Sequence, residues 1–352
     1  MGITVTAGVT VTAGITMTAG PTVGRNIAVA TSLTPFVNVY PWTSDGFGTA
    51  YSNPGNAIPS TGNAVSWSPS GDAVAVAHST APRLTVYPWS ASGFGTKYAN
   101  PANAVPATAL ATTWSPSGAD IAVTYGTTSP FITVYPWNSS TGLGTKYADP
   151  ATPPPSNGNG VTWSPSGADI AIAHNTLPYV SVYPWSGSGF GTKYADPGTA
   201  MPGTGQGVSW SPSGADIAIG HNTSPYISAY PWSGSGFGTK YANPGTAASA
   251  QGRKVSWSPS GNAIALSSTL TPYINVYAWS AGFGSKFADP AEPAAGSGND
   301  VQWHPLGNDI ALAHTTSPSI TVWRWANGFG AKYSNPATLP SGDGNGVAWS
   351  PN

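Results

Sequence analysis

The sequence predicts an all-β fold: a seven-bladed β-propeller closed by its own C-terminal strand and preceded by an extended N-terminal β arm. Three observations lead there. A Trp followed by Ser-Pro or His-Pro recurs at Trp67, Trp114, Trp163, Trp210, Trp257, Trp303 and Trp349. A second aromatic block, mostly Tyr-Pro-Trp, recurs with its Trp at Trp42, Trp89, Trp137, Trp185, Trp232, Trp279 and Trp325. The period is about 47 residues, in the range of propeller repeats. The first copy lacks its Trp-Ser-Pro half, which returns as the last four residues, Trp349-Ser350-Pro351-Asn352. Joined to Gly24 these read WSPNGRNIAVA, the same phrase as WSPSGADIAIA at Trp163 to Ala173. A repeat completed only when its ends meet describes a ring.

Residues 158 to 197 show how one repeat is built. Gly160-Val161-Thr162-Trp163 alternates, and Ser164-Pro165-Ser166-Gly167 is a tight turn. Ile170 and Ile172 then share one face while Ala171 and Ala173 share the other. Tyr179 to Tyr183 forms a third alternating run, entered through Leu177-Pro178. Gly189 to Tyr194 forms a fourth and stops at Asp196-Pro197. Short runs of period two bounded by Gly, Pro, Asn and Asp are strands. No window has the 3.6-residue period of a helix. Four antiparallel strands in each of seven repeats predict the propeller over residues 24–352, which leaves only short outer edges exposed.

Residues 1–23 form a separate unit. Odd positions from Ile3 to Ala19 are apolar, and even ones are Thr or Gly. Fully extended, this run would span about 60 Å, more than a propeller strand needs. Its apolar face requires a partner, and the ring is complete without it. The expectation is strand addition to another chain through Ile3, Val5, Val9, Val11, Ile15 and Met17. An unstructured tail and one turn of a hexapeptide β-helix are the alternatives.

Composition removes whole classes of function. Charged residues make up 7% and the net charge is −1, so no electrostatic footprint for nucleic acid exists. No stretch approaches the roughly 20 apolar residues of a membrane helix, and no membrane insertion is expected. The N-terminus has neither the basic nor the Leu-rich region of a signal peptide. There is no Cys, which removes disulfides and thiolate metal sites together.

The candidate chemical groups sit in repeated positions. His78, His174, His221 and His314 end the second strand of their blades, where other blades carry Thr31, Tyr125 and Ser268. Ligands on separate blades cannot converge within about 2.1 Å of one ion, so neither metal nor cofactor is expected. A polar cap on the following turn is the leading reading for these histidines, and facing a ligand is the other. Asp120, Asp169, Asp216 and Asp309 share a hairpin position, while Asp149, Asp196 and Asp289 alternate with Asn before Pro. Both sets read as turn punctuation. With one glutamate, Glu292, no opposed acidic pair is evident, and no catalytic residue is assigned. The lysines Lys97, Lys146, Lys193, Lys240, Lys286 and Lys332 share an outer position that guards an edge. Most of the 15 Trp residues should fill gaps between blades. Trp89, Trp137, Trp185 and Trp232, in the Tyr-Pro-Trp turns, are the best candidates to stack a sugar.

The phrase VxWSPSGxxIAxAHxxxPYIxVYxW resembles the WD40 repeat, in which an aromatic-Ser-Pro-Asp-Gly turn joins two strands and a Trp closes the third. The resemblance covers residues 24–352 and implies the propeller. The family's Gly-His dipeptide is missing, and Trp185-Ser186 stands where it has Trp-Asp. Its Asp-His-Ser/Thr-Trp hydrogen-bond network is therefore not carried over. The GFGTKYANP phrase is similar to propeller repeats of tailed-phage and bacterial surface proteins. Together these features predict a non-enzymatic, self-assembling component of a virion or extracellular fibre. Its subunits would associate as a homo-oligomer or fibre through residues 2–20, with the propeller displayed outward toward a glycan or host surface. A glycan-binding lectin with equivalent inter-blade pockets and a WD40-type protein-interaction scaffold are the alternatives.

Overall fold

The computed structural model describes residues 25–351. The expected arm, with Ile3, Val5, Val9, Val11, Ile15 and Met17, lies outside the described residues. What is described is a propeller of seven antiparallel sheets, and among these residues there is no helix. The innermost strands of blades 2 to 7 are Gly62–Trp67, Ala109–Trp114, Gly158–Trp163, Gly205–Trp210, Gly252–Trp257 and Gly298–Trp303. Blade 1 takes its innermost strand, Gly344–Trp349, from the C-terminus and pairs it with Arg25–Thr31. Ile27 faces Trp349, and Ala30 faces Gly346, in the register expected from the sequence.

Each gap between neighbouring blades holds its own core cluster, seven among the described residues. The second strand of blade 4 explains why. Ile170 and Ile172 pack toward blade 3, whereas Ala171 and Ala173 pack toward blade 5. One face is large and the other small, so each blade's bulk fits against the preceding blade's alanines. This complementarity fills the wedge-shaped gaps, as close packing of an interior requires.

The two tryptophans that mark every repeat meet in all seven blades. Trp163 lies edge-on to Trp185 with ring centroids 5.2 Å apart, and Trp303 to Trp325 at 4.8 Å. Such pairs add about 0.5–1.5 kcal/mol beyond area burial. Most of the first-set tryptophans also donate their indole N–H to a carbonyl one blade back. Trp257 reaches Ser209 O at 3.1 Å, and Trp349 reaches Gln302 O at 3.3 Å.

The fourth strand departs from expectation. It has two residues in blades 1 to 3 and shrinks to the single bridges Trp185–Phe190 and Trp232–Phe237 in blades 4 and 5. In blades 6 and 7 it runs for four residues, Phe283–Lys286 and Phe329–Lys332. The cause lies in the third strand. Tyr-Pro-Trp in blades 1 to 5 places a proline where the outer ladder needs an N–H, and Ala278 or Arg324 restores it in blades 6 and 7.

Candidate functional site in the central channel

The channel along the propeller axis is lined by the seven innermost strands. Just before the buried Val or Thr of each, one position forms a constricted ring: Ala64, Ala111, Gly160, Gly207, Lys254, Asp300 and Gly346. Five blades are small here because the strands nearly touch. A Cβ on Gly207 would lie 2.6 Å from Arg253 O, and one on Gly346 would lie 2.9 Å from Ala64 Cα. Blades 6 and 7 instead carry adjacent, opposite charges.

Lys254 leans back over Gly207, where an added Cβ would come within 2.9 Å of its Cδ. Its Nζ donates to Asn159 O at 2.5 Å and to Gln206 O at 3.1 Å. The chain thus crosses blade 5 to reach blade 4, and it borders cavities on both sides of the ring. One, about 510 Å³, opens toward the Trp-Ser-Pro turns and is rimmed by Ser66, Thr113, Thr162, Ser209, Ser256 and Gln302. The other, about 330 Å³, is rimmed by Asn63, Asn159, Gln206, Arg253, Asn299 and Asn345. Amides there are largely spent on structure. Asn63 donates to Ala109 O at 2.7 Å and Asn299 to Gly344 O at 2.9 Å, each tying a blade to the next. Arg253 donates to Asn299 Oδ1.

Asp300 accepts from Val301 N at 2.8 Å and from Val347 N at 3.0 Å, one bond per oxygen. It is half-buried and borders channel space. That burial pushes its carboxyl up to about 6, against the opposing pull of the Val347 amide and the Lys254 charge. Burial also lowers the Lys254 ammonium and the Arg253 guanidinium. Position-by-position comparison of the innermost strands could have found Lys254 and Asp300, because they alone break a Gly/Ala ring. Reading for repeated residues passes over them.

The candidates from repeated positions lie elsewhere. His78, His174, His221 and His314 are fully buried. Each ring bonds through Nε2 to a hydroxyl of the third strand: Thr85, Ser181, Ser228 and Thr321, at 2.9–3.0 Å. Burial lowers the first three to about 4 and lowers His314 as well, so they sit neutral and closed off inside the blade. Trp89, Trp185 and Trp232 are 7–9% exposed, and Trp137 is half-buried. Each packs in a T-shaped contact against a Trp or Tyr neighbour, which leaves little ring surface open on Trp89, Trp185 and Trp232.

The hairpin aspartates do more than shape a turn. Asp120 accepts from Tyr147 OH at 2.8 Å and, from the next blade, Trp185 Nε1 at 3.3 Å. Asp169 does the same with Tyr194 and Trp232, and Asp309 with Tyr333 and Trp42. Parts of the network set aside for the WD40 resemblance therefore exist, as His–hydroxyl pairs within blades and Asp–Trp pairs between them. Of the outer lysines, Lys146, Lys193 and Lys286 pair with the Asp three residues on, as expected of a charged, solvated edge.

No family model matches the sequence, and no curated protein matches it. Solved structures do. A protein from Bacteroides uniformis provisionally named a 6-phosphogluconolactonase superposes with a TM-score of 0.71 at 15% identity, covering 93% of this chain and 99% of that one. The periplasmic gluconolactonase PpgL of Pseudomonas aeruginosa gives 0.66 at 14%, covering 93% and 99%. A chain of the mitotic checkpoint complex gives 0.60 at 17%, covering 82% of each. At these identities the likeness concerns the fold. It nonetheless corrects the expectation of a non-enzymatic protein, because propellers of this form include ones named as lactonases. That expectation rested on the lack of an opposed acidic pair on the central face. The chain is a seven-bladed β-propeller repeat protein.

Proposed function

We propose that the channel is the active site of a hydrolase for small cyclic esters of polyhydroxy acids, the sugar lactones. One observation carries the reading: in a ring otherwise of Gly and Ala, two neighbouring blades place Asp300 and Lys254 beside a polar cavity. The large pocket where polar groups and a shifted pKa converge is the natural place for chemistry. Above about pH 6 Asp300 is a carboxylate of the right basicity to take a proton from water. The water oxygen attacks the lactone carbonyl carbon, and the Lys254 ammonium favours the negative charge that develops on the carbonyl oxygen. The ring C–O bond then breaks, and its oxygen leaves as a hydroxyl carrying the proton. The names of the superposing lactonases support this class of substrate.

Acid release from glucono-δ-lactone and its 6-phosphate, followed with a pH indicator, tests the reading. The protein should exceed the buffer rate on one of them, with a rate that climbs through pH 6 and levels off. Asp300→Asn should lower kcat/KM by about a hundredfold. A rate equal to buffer on both lactones, or an unaffected Asp300→Asn variant, refutes it.

A second reading concerns assembly and rests on the alternating sequence of residues 2–20. Strand addition through this arm would build a homo-oligomer or fibre of a virion or extracellular structure. Replacing Val5, Val11 and Met17 by Asp should then release folded monomers, and an unchanged sedimentation profile would sink the idea.

A further inference from the structure

Polar cavities recur on the turn face in the gaps between blades 3 and 4, 4 and 5, and 5 and 6, with volumes of about 320, 280 and 370 Å³. An aspartate, a Tyr-Pro-Trp-type tryptophan and serine rims line each of them. In the first two gaps the aspartate is spent, since Asp120 and Asp169 accept on both oxygens and are 3% and 5% exposed. The tyrosine hydroxyls there also reach the facing turn, Tyr147 to Gly187 O at 3.2 Å and Tyr194 to Gly234 O at 3.3 Å.

The third gap is built differently. The turn after Trp279 is one residue shorter, Ser280-Ala281-Gly282 in place of Ser233-Gly234-Ser235-Gly236. Tyr241 still donates to Asp216 Oδ1 at 2.7 Å, but among the described residues nothing donates to Oδ2, and Asp216 is half-buried. Nor does the Trp279 indole N–H, beside the same cavity, find an acceptor among the described residues. Blade 6 adds Asn262 where blades 3 to 5 have Ala119, Ala168 and Ala215. Its Oδ1 accepts from Ser258 at 3.1 Å and Ser260 at 2.7 Å, which fixes the amide and leaves Nδ2 as a donor.

From this geometry we infer that the gap between blades 5 and 6 binds an uncharged sugar ring through a pair of neighbouring hydroxyls. Every sugar hydroxyl both donates and accepts. Asp216 Oδ2 supplies the acceptor, and Asn262 Nδ2 and the Trp279 indole supply donors. A carboxylate in the floor disfavours anions, and two N–H donors disfavour a cation. This site is separate from the channel and stands without the lactone reading.

Saturation-transfer NMR and tryptophan fluorescence, with the methyl glycosides of α-glucose, α-mannose and β-galactose, test it. At least one should bind with a Kd on the order of millimolar. Asp216→Asn and Asn262→Ala should each weaken it by about tenfold. Asp169→Asn and Asp300→Asn should leave it unchanged. Asn262→Ala keeps the test decisive should Asp216→Asn disturb Tyr241. No transfer to any of the three glycosides overturns the inference. So does binding that survives Asn262→Ala, or that is lost in Asp169→Asn or Asp300→Asn.

Discussion

Replacing Asp309 by Ala should loosen the seam where the last blade meets the first. Asp309 is 2% exposed and accepts from Tyr333 OH at 2.8 Å and Trp42 Nε1 at 3.3 Å. Hydrogen bonds to a charged acceptor contribute about 1.5–3 kcal/mol each, with the longer one at the low end. Removing the carboxylate also removes its own cost of burial, which leaves a net loss of about 3 kcal/mol. For a chain of this length that lowers the melting temperature by about 4 °C. Tyr333→Phe deletes one bond and should show about half the shift. Blade 6 supplies a natural control: it has Ala263 at the aspartate position and Phe287 at the tyrosine, so both partners are missing together. Ala263→Asp should therefore bring at most a small stabilisation, because Phe287 has no hydroxyl to offer and only the Trp325 indole remains as a donor. Calorimetry on the four proteins checks this. An Asp309→Ala variant melting within about 1 °C of the parent would refute the idea that these aspartates staple blades.

Acid should unfold the ring through its histidines. His78, His174 and His221 titrate near 4 when folded and near 6.5 when unfolded, so their stabilisation is complete above pH 6.5 and lost as the pH falls toward 4. Asp300 has the opposite sign, because its folded value of about 6 exceeds the unfolded one and stability declines as pH rises through that window. Asp300→Asn should thus raise stability at pH 7 by about 1–2 kcal/mol in urea unfolding while leaving the acid limb intact. Deleting residues 343–352 removes the strand Gly344–Trp349 and should abolish cooperative melting; a truncated protein that melts like the parent would contradict ring closure. Pro184→Ala should lengthen the fourth strand of blade 4, seen as slower amide exchange at residues 190–193.

The seven blades, the closing strand and the Trp-rich cores were legible because each repeat carries its own pattern. Alternation assigned Ile170 and Ile172 to one side and Ala171 and Ala173 to the other before any contact was known. Roles that depend on a neighbouring blade were not legible. Asp120 and Trp185 are 65 positions apart, and nothing local in either marks the other as a partner. The fourth strand was over-read because alternation in Gly189–Tyr194 says nothing about the donor missing at Pro184. Lys254 and Asp300 escaped notice for the opposite reason. Repetition points to what the blades share, and chemistry in a symmetric ring lies where one blade differs.

Pairing the first described strand with the last has a kinetic consequence. Ile27 and Trp349 become neighbours only after the more than 300 residues between them have been synthesised. Until then the blade containing Arg25–Thr31 lacks its inner strand, with the Ile27, Val29 and Tyr40 side of its core unfilled. Closure over such a separation is slow compared with forming any single hairpin. A nascent chain is therefore vulnerable to edge-to-edge association for longest at this one blade. Conditions that delay the final strand should populate aggregates seeded there, even though each of the other six blades is already able to form.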